Sequence, residues 1–528
     1  MKSREEFQKI LDSVFKRDDV RGKWETELDG MIAWLLGYAF VNILKSDNEK
    51  SATRIVIGRD MRKGSPTMAA QLIEGIRAAG GAVDDLGMCS TEMIYYATGE
   101  QPDCYQGGAM VTASHNPPEY AGVKFVKSGA KPLDTDELQA LKNEAARLYE
   151  LHLTGSRRGT EQGAFAERFV EKLLKVTGLS ARQDNVDLKI VIEAGNGMGG
   201  MTFRPVAESL EKLLPGLKCV FSNETPDGSF PICTPNPLLE EYLDLLGNRV
   251  RKENADLGIC FDGDADRAGF VDNAGQLIDA SLVSIILFQM LSPLHPDCLH
   301  VMGNLNSSMR FTDFVEKYIN SGKWNGRFVM TPVGHAKIKG LMRVEPYFDK
   351  KSHTSKILFA SEHSGHYFYP DFFYADSGMT TALFMIRKAR QVKATGQMLS
   401  QELETWRQGY LASGEINVEV DKDDTAIAKI KQIADKYVTG TKRQWRGIVE
   451  GRVPGTHEVE TFEEVNPYNP ESLEALDLRI DSAENETPRW WFSVRKSGNE
   501  PKLRLNVESE NKPHMQILRD ELLSIIRA

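Results

Sequence analysis

The feature that most constrains the fold is a strand–helix–strand–helix–strand pattern that occurs three times before about residue 397. In each copy the third strand runs into a loop that is rich in reactive side chains, and these strands end near Ser114, Asp262 and Ser361. Strands that alternate with helices predict an α/β fold. Open α/β sheets bind their ligands at the carboxyl ends of the strands. We therefore predict three related α/β domains whose corresponding loops converge on one cleft.

The first reactive loop follows the stretch Gly107-Gly-Ala-Met-Val-Thr-Ala-Ser-His-Asn-Pro-Pro118. Its small and β-branched residues predict a buried strand, which the two prolines end. Ser114 then lies at the carboxyl end of the strand as a candidate nucleophile, with His115 beside it and Lys124 a few residues on. Taken alone, such a loop is also typical of an ordinary turn.

The second reactive loop carries three carboxylates at every second position: Asp262, Asp264 and Asp266. Gly263 would let the backbone bend so that they converge, and like charges this close repel one another unless a cation holds them. A divalent metal with oxygen ligands explains the set, and Mg²⁺ suits a partner that is itself a phosphate. Arg267 follows directly as a fork-shaped donor for phosphate oxygens.

The aspartate loop also allows interpretations other than a magnesium site. An EF-hand beginning at Asp262 would need Gly at its sixth position and Glu at its twelfth, where this chain has Arg267 and Asn273. Calcium sensing is therefore excluded. A phosphatase with an aspartate nucleophile also starts a loop with Asp-x-Asp after a strand, and it stays open as an alternative. A solvated acidic turn stays open as well.

A glycine motif in the second copy allows two interpretations. Gly195, Gly197 and Gly200 match the dinucleotide fingerprint after a strand. The other two copies have ordinary helix starts at this position, so we favour tight helix–strand packing over a nucleotide site.

Beyond about residue 397 the pattern changes to that of an α+β domain. A predicted strand there is followed by a turn that combines a guanidinium, a hydroxyl, a flexible glycine backbone and an amide. These groups belong to Arg495, Ser497, Gly498 and Asn499. These groups predict an anion-binding nest, with an ordinary hairpin turn as the alternative.

Composition narrows the class of protein. A length of 528 residues predicts roughly three to four domains. The net charge of −10 argues against general nucleic-acid binding, and no apolar run is long enough to span a bilayer. The six cysteines have no zinc-like or redox CxxC spacing, so we expect free thiols in a reducing cytoplasm. No pattern predicts the oligomeric state.

Two motifs together, Thr112-Ala-Ser-His-Asn-Pro117 and Asp262-Gly-Asp-Ala-Asp-Arg267, resemble the α-D-phosphohexomutase superfamily. Three more are similar to its phosphomannomutase/phosphoglucomutase branch: Glu362-His-Ser-Gly-His366, Ala375-Asp-Ser-Gly378 and Arg495-Lys-Ser-Gly-Asn-Glu-Pro501. The resemblance covers nearly the whole chain. It implies three related α/β domains with mixed sheets and a C-terminal TBP-like α+β domain around a central cleft, with boundaries at 1–165, 166–276, 277–397 and 398–528.

The resemblance also implies an activity, the interconversion of hexose 1-phosphate and hexose 6-phosphate, with mannose, glucose or both as the sugar. Ser114 would carry the phosphoryl group and would share Mg²⁺ with the three aspartates. A hexose 1,6-bisphosphate would be the intermediate and activator. Alternatives are a phosphoglucosamine mutase, the aspartate-nucleophile sugar phosphatase, and a sugar-phosphate-binding regulator without turnover.

Roles for the other residues follow from the same resemblance. Arg267 and Lys124 would lie nearest the transferring phosphoryl group, and the candidates for proton handling are Arg21, Lys124 and His335. Glu362 and Ser364 would bind the hydroxyl groups of the sugar. The second phosphate would be clamped by Arg495, Ser497, Gly498 and Asn499. The branch commonly has Thr where this chain has Asn499, which puts the geometry of the clamp and the preferred hexose in doubt.

Overall fold

The computed structural model describes residues 4–47, 53–150, 165–344, 347–349, 354–420, 423–438, 444–449, 476–482, 486–496 and 502–528. These residues form two compact units. The first unit comprises Met1–Ala280 and Ser364–Glu402, and the second comprises Ser281–His363 and Leu403–Ala528.

The first sheet has the strand order β1-β5-β4-β2-β3, with β6 on β5. Strands β3, β2 and β4 are parallel, whereas β5 is antiparallel to β4 and to β1. The apolar centre of β2 and all of β4 are buried, as their sequences predict. The elements are α1 (Arg4–Val14), β1 (Val20–Lys23), α2 (Gly30–Asp47), β2 (Arg54–Arg59), α3 (Ser65–Ala78), β3 (Ala82–Met88), α4 (Thr91–Glu100), β4 (Gly107–Val111), β5 (Tyr120–Lys127), β6 (Lys131–Pro132) and α5 (Thr135–Glu150).

The second sheet repeats this topology with the order β11-β10-β9-β7-β8. Strands β8, β7 and β9 are parallel, and β10 returns antiparallel to β9. The third strand of the copy thus again neighbours the first strand and a short returning strand. The elements are α6 (Ala166–Val176), β7 (Leu188–Glu193), α7 (Met198–Leu213), β8 (Leu217–Ser222), α8 (Glu240–Glu253), β9 (Leu257–Phe261), β10 (Ala268–Asp272) and β11 (Leu277–Ile278).

The third copy again places its first strand between its second and third. Strand β12 pairs in parallel with β13 and with β16, while β14 and β15 form a separate hairpin. The elements are α9 (Ala280–Leu291), β12 (His300–Asn304), α10 (Met309–Asn320), β13 (Arg327–Thr331), α11 (His335–Leu341), β14 (Phe348–Asp349), β15 (Thr354–Ser355) and β16 (Ile357–Ser361).

The chain then contributes a short segment to the first unit. Its strands β17 (Tyr367–Tyr369) and β18 (Ala375–Asp376) are antiparallel. Helix α12 (Gly378–Ala394) follows, with Ser377 as a hydrogen-bonded N-cap. A strand thus follows each of the three reactive loops, as β5, β10 and β17.

The C-terminal part is an antiparallel sheet with the order β19-β24-β23-β22-β21, and β20 also pairs with β24. Helices α14 and α15 cover one face through a core that includes Trp490, Phe492 and Leu505. The α+β interpretation is thus confirmed. The elements are α13 (Leu399–Arg407), β19 (Leu411–Ala412), β20 (Ile416–Glu419), α14 (Asp423–Val438), β21 (Gln444–Val449), β22 (Leu476–Asp481), β23 (Trp490–Lys496), β24 (Lys502–Ser509) and α15 (Lys512–Arg527).

Among the helices that the structure describes, none is both long enough and apolar enough to cross a membrane.

Candidate active site

The loop after β4 and the loop after β9 meet inside the first unit. The hydroxyl Oγ of Ser114 lies 3.3 Å from Oδ2 of Asp262. Ser114 is 1% exposed, and Asp262, Asp264 and Asp266 are fully buried. The two loops are 148 residues apart in the chain, so the sheets bring together the serine and the carboxylates that the sequence predicts to act together.

Close approach of the two loops explains Gly263. A Cβ built on this residue would lie 2.4 Å from the carbonyl oxygen of Ser114, a distance at which one of the loops must move. The left-handed residue of the aspartate loop is Ala265, with φ of 64°, and Ser114 itself has φ of 54°. Gly263 is therefore needed for space beside Ser114, and the bend that we expected from it is made at Ala265.

Lys124 supplies the nearest positive charge to the aspartates. It extends from β5, and its Nζ donates to Oδ2 of Asp264 at 2.7 Å and to Oδ2 of Asp266 at 2.5 Å. Burial by itself lowers the pKa of Lys124, but the two carboxylates outweigh it and raise that pKa above its ordinary value. The ammonium therefore stays protonated and acts as a counter-ion within the site.

The three aspartates form a group that fits a magnesium ion. Each can offer one carboxylate oxygen, and these oxygens lie within 4.8 Å of one another. Oδ1 of Asp264 and Oδ1 of Asp266 are buried and accept no hydrogen bond within the part of the chain that the structure describes. Burial, with Asp266 and Asp264 nearby, raises the pKa of Asp262 well above its ordinary value. Hard oxygen ligands with unused lone pairs are what Mg²⁺ requires.

Three further predicted residues surround Ser114. Nε of Arg267 lies 3.4 Å from Oδ2 of Asp262, and its Nη2 contacts the ring of His115. Nδ1 of His115 lies 3.3 Å from the Ser114 hydroxyl, and burial together with Arg267 and Arg21 lowers the pKa of this imidazole well below its ordinary value. Arg21 donates to Oδ1 of Asn116 at 3.1 Å. His115 is therefore neutral, between two guanidinium groups.

Three residues that line these loops were missed in the sequence. Nε2 of His366 lies 3.9 Å from Oδ1 of Asp266, and Thr91 donates from its hydroxyl to Oδ2 of Asp264 at 2.5 Å. Arg62 donates to the carbonyl oxygen of Ser114 at 2.7 Å. His366 had a signal, because it ends the Glu362–His366 motif directly before an apolar strand. Thr91 and Arg62 had none beyond their places near strand ends.

The remaining predicted residues are divided between the units. Ser364 lies in the first unit, where its hydroxyl is 3.0 Å from Nδ1 of His366. In the second unit, Oε1 of Glu362 accepts from Gly334 N at 2.9 Å, directly before His335 at the start of α11. Nη2 of Arg495 donates to Oε2 of Glu415 at 3.0 Å. The predicted clamp residues Ser497, Gly498 and Asn499 lie outside the described residues.

Comparison with known protein families identifies four successive domains in this chain. Models of the four phosphoglucomutase/phosphomannomutase domains match the chain in sequence: α/β/α domain I over residues 12–152, domain II over 167–275, domain III over 280–408 and the C-terminal domain over 415–525. This chain belongs to the phosphoglucomutase/phosphomannomutase family. The four-domain fold with mixed sheets that the sequence predicts is thereby confirmed.

Curated relatives and solved structures match this chain over nearly its full length. A phosphomannomutase of Salmonella montevideo is 31% identical over 98% of this chain and 99% of its own. A family member from Burkholderia thailandensis has the same fold, with a TM-score of 0.73 and 24% identity over 100% of this chain and 98% of its own. The N-acetylphosphoglucosamine mutase of Aspergillus fumigatus, solved with GlcNAc-6P and magnesium, has a TM-score of 0.56 at 13% identity and covers 100% of this chain and 99% of its own.

The glycine motif of domain II has a packing role in this family member. A Cβ on Gly197 would lie 2.9 Å from the carbonyl oxygen of Gly263, and one on Gly200 would lie 2.5 Å from that of Glu224. The amide of Met198, the first residue of α7, donates to the carbonyl oxygen of Gly263 at 2.9 Å. These contacts agree with the packing interpretation, because the glycines let α7 begin against the aspartate loop.

Proposed function

We propose that this phosphohexomutase interconverts the 1-phosphates and 6-phosphates of mannose, glucose or both, through a phosphoserine at position 114 and a hexose 1,6-bisphosphate. The observation that carries the proposal is the Ser114 hydroxyl 3.3 Å from Asp262, at the edge of three carboxylates that can hold one metal ion. Phosphoryl transfer depends on alignment and charge neutralisation more than on covalent help from the protein. The site offers both.

Each half-reaction moves one phosphoryl group. The bond between phosphorus and Oγ of Ser114 breaks while a sugar hydroxyl forms the new P–O bond and gives up its proton. In the second half-reaction the other phosphate of the bisphosphate returns to Ser114. Mg²⁺ held by Asp262, Asp264 and Asp266 would neutralise charge on the phosphoryl oxygens.

The side chains around Ser114 have separate tasks in this proposal. Arg267 and the protonated Lys124 supply positive charge to the transferring group, and the fork of Arg267 suits two phosphoryl oxygens. His115 stays neutral and orients the Ser114 hydroxyl. Candidates for exchanging the proton of the sugar hydroxyl are Arg21 and His335, to which we add His366 because its buried imidazole lies beside Asp266.

Recognition of the substrate follows from the family motifs. Glu362 and Ser364 would bind sugar hydroxyls, and Arg495 with Ser497, Gly498 and Asn499 would bind the phosphate that is not transferred. We assign the domains to 1–165, 166–276, 277–397 and 398–528. We place the enzyme in the cytoplasm because all six cysteines are free thiols.

A coupled assay tests the reaction with the 1-phosphates of glucose, mannose and glucosamine, each with Mg²⁺ and a trace of hexose 1,6-bisphosphate. We expect turnover of glucose or mannose 1-phosphate, and preferred turnover of the amino sugar would identify a phosphoglucosamine mutase instead. Inactivity toward all three would favour a sugar-phosphate-binding regulator.

Mass spectrometry of the same preparation tests the phosphoserine. Peptide mapping should place one phosphate on Ser114, and Ser114→Ala should abolish both the phosphate and the turnover. Ser128→Ala, which removes a hydroxyl elsewhere in domain I, is the control. Phosphate that persists in Ser114→Ala and disappears in Asp262→Asn would establish the aspartate-nucleophile phosphatase.

A further inference from the structure

Arg62 gathers the backbone of the Ser114 loop around one guanidinium group. It lies between β2 and α3 and is 1% exposed. Its Nη2 donates to the carbonyl oxygens of Ser114 at 2.7 Å and Asn116 at 2.6 Å. Its Nη1 donates to those of Pro117 at 2.6 Å and Tyr120 at 3.2 Å. Four carbonyl oxygens from a seven-residue stretch thus point at one cation.

Convergence of this kind needs the cation. Carbonyl oxygens repel one another when they face a common point, and a guanidinium offers five donors in a fixed plane that can satisfy them. Ser114 also has φ of 54°, a left-handed conformation that is unfavourable for a residue other than glycine. Arg62 therefore offsets the repulsion between these oxygens in the loop conformation in which Oγ faces Asp262.

The orientation of Arg62 is itself fixed from two sides. Asp60 accepts from the backbone amide of Arg62 at 3.0 Å, and its Oδ2 lies 3.2 Å from Nε. The ring of Phe230, which belongs to domain II, stacks with its centroid 5.0 Å from Cζ of Arg62. A Cβ on Gly263 of the aspartate loop would lie 3.8 Å from Cζ of the same ring. Phe230 therefore lies close to both Arg62 and the loop that carries the aspartates.

We infer that Arg62 is a positioning residue for phosphoryl transfer, which sets the conformation of the Ser114 loop so that Oγ faces the aspartates, and that Phe230 fixes this arrangement across the two domains. The inference rests on the proposed function. Arg62 has no free face for substrate, because the residue is buried, its Nη1 and Nη2 donate to backbone oxygens, and its Nε lies against Asp60. It acts only through Ser114.

The substitution Arg62→Lys tests this inference, because lysine keeps the charge but cannot reach four oxygens arranged in a plane. A displacement of about 1 Å at a reacting group costs about 100-fold in rate. We expect kcat to fall about 100-fold while KM for the hexose phosphate stays within about threefold. Single-turnover phosphorylation of Ser114 by hexose 1,6-bisphosphate should slow by the same factor as kcat.

The matched control is Arg54→Lys, which breaks a two-bond pair with Asp84 at the opposite end of β2. Both variants should lower the melting temperature, but only Arg62→Lys should slow the phosphorylation of Ser114. If Arg62→Lys melts at a lower temperature and yet phosphorylates Ser114 within about threefold of the wild-type rate, Arg62 is merely structural and the inference is wrong.

A second variant decides the question if Arg62→Lys does not fold. Phe230→Leu keeps the guanidinium and removes only the stacked ring, and we expect kcat to fall about tenfold with KM unchanged. An unchanged kcat in Phe230→Leu would overturn the inference. Wild-type enzyme run in parallel separates the two levels of the argument: an inactive, unphosphorylated wild type contradicts the proposed function, whereas an active wild type with an active Arg62 variant contradicts only the role of Arg62.

Discussion

At the scale of single residues, the site is governed by the balance of buried charge. The three carboxylates are fully buried, and buried charges persist only when they are paired or bind a metal. Lys124 pairs with two of the carboxylates, Asp264 and Asp266. Arg267 lies against the third, Asp262. In the protein without metal, Lys124 thus supplies part of the charge that Mg²⁺ would supply.

This balance makes a prediction for Lys124→Met. Removing one partner of a buried ion pair costs about 3–5 kcal/mol, so the variant should melt several degrees below the wild type in the absence of metal. Mg²⁺ should then restore more stability to the variant than to the wild type, because it replaces the lost positive charge. Calorimetric melting curves recorded with and without excess Mg²⁺ measure the difference.

Lys127→Met is the control for that experiment. Lys127 ends the same strand and pairs with Glu137 outside the site, so its loss should not change the response to Mg²⁺. An equal Mg²⁺ response in the wild type and in Lys124→Met would show that the metal does not bind at the carboxylates that Lys124 neutralises.

At the scale of elements, a buried carboxyl group joins α4 to α12. Oε1 of Glu92 accepts from the amide of Met379 at 2.9 Å, and Oε2 accepts from the hydroxyl of Ser377 at 2.7 Å. Glu92 thus caps the helix that follows the Ala375–Gly378 motif. Burial raises the pKa of Glu92 well above its ordinary value, and the nearby Asp266 and Asp376 add to the shift.

The raised pKa of Glu92 predicts a pH-dependent stability. Because the folded-state pKa is higher than that of the unfolded chain, the stability that protonated Glu92 contributes is complete below about pH 4 and is lost as the pH rises through the folded-state pKa. Glu92→Gln mimics the neutral form at every pH. The melting temperature of Glu92→Gln relative to that of the wild type should therefore increase as the pH rises above about 4.5.

Two variants control for this effect. Glu74→Gln removes one negative charge from α3, away from the contact between α4 and α12, and is the charge-matched control. Glu92→Ala removes both hydrogen bonds to the start of α12 and should melt lower at every pH. Parallel profiles for Glu92→Gln and the wild type would mean that Glu92 is ionised in the folded protein.

The elements were more predictable than the contacts between them. Periodicity and turn residues locate β4 and β9, and with them Ser114 and the aspartates, because these signals are local in the chain. The partners of those residues are not local: Thr91 reaches Asp264 across 173 positions, and Arg62 reaches Ser114 across 52. An arginine or threonine after a strand end has no pattern that reveals such a partner. Gly263 shows the same limit, because what requires a glycine there is the backbone of the Ser114 loop, which is distant in the chain.

At the scale of the whole molecule, the net charge bears on how an anionic substrate is bound, and the burial of the thiols decides which of them can react. The net charge of −10 is distributed over a protein whose proposed substrate is an anion, so the positive charge around Ser114 has to be concentrated locally. The six cysteines are all free. Because the thiolate is the reactive form, burial and pKa decide which of them can react.

The thiols provide a prediction for the folded protein. Burial raises the pKa of Cys89 and of Cys219 to about 12 and that of Cys233 to about 11, and it raises the pKa of Cys260 as well. Cys104 is the exposed thiol. With a thiol reagent near neutral pH we therefore expect Cys104 to react first, about 100-fold faster than the buried Cys89 and Cys260, and six equivalents to react after denaturation.

Peptide mapping after partial labelling identifies the fast site, and Cys104→Ser should remove the fast phase without loss of mutase activity. Cys104 follows α4 on the side of domain I away from the third strand's carboxyl end, so a label there leaves the Ser114 loop in place. In the folded protein Cys89 packs against Gly58 and Cys260 packs against Gly269. Fast labelling of either thiol would therefore show that the core around it opens readily. A disulfide-linked peptide from freshly purified enzyme would contradict the proposed cytoplasmic location.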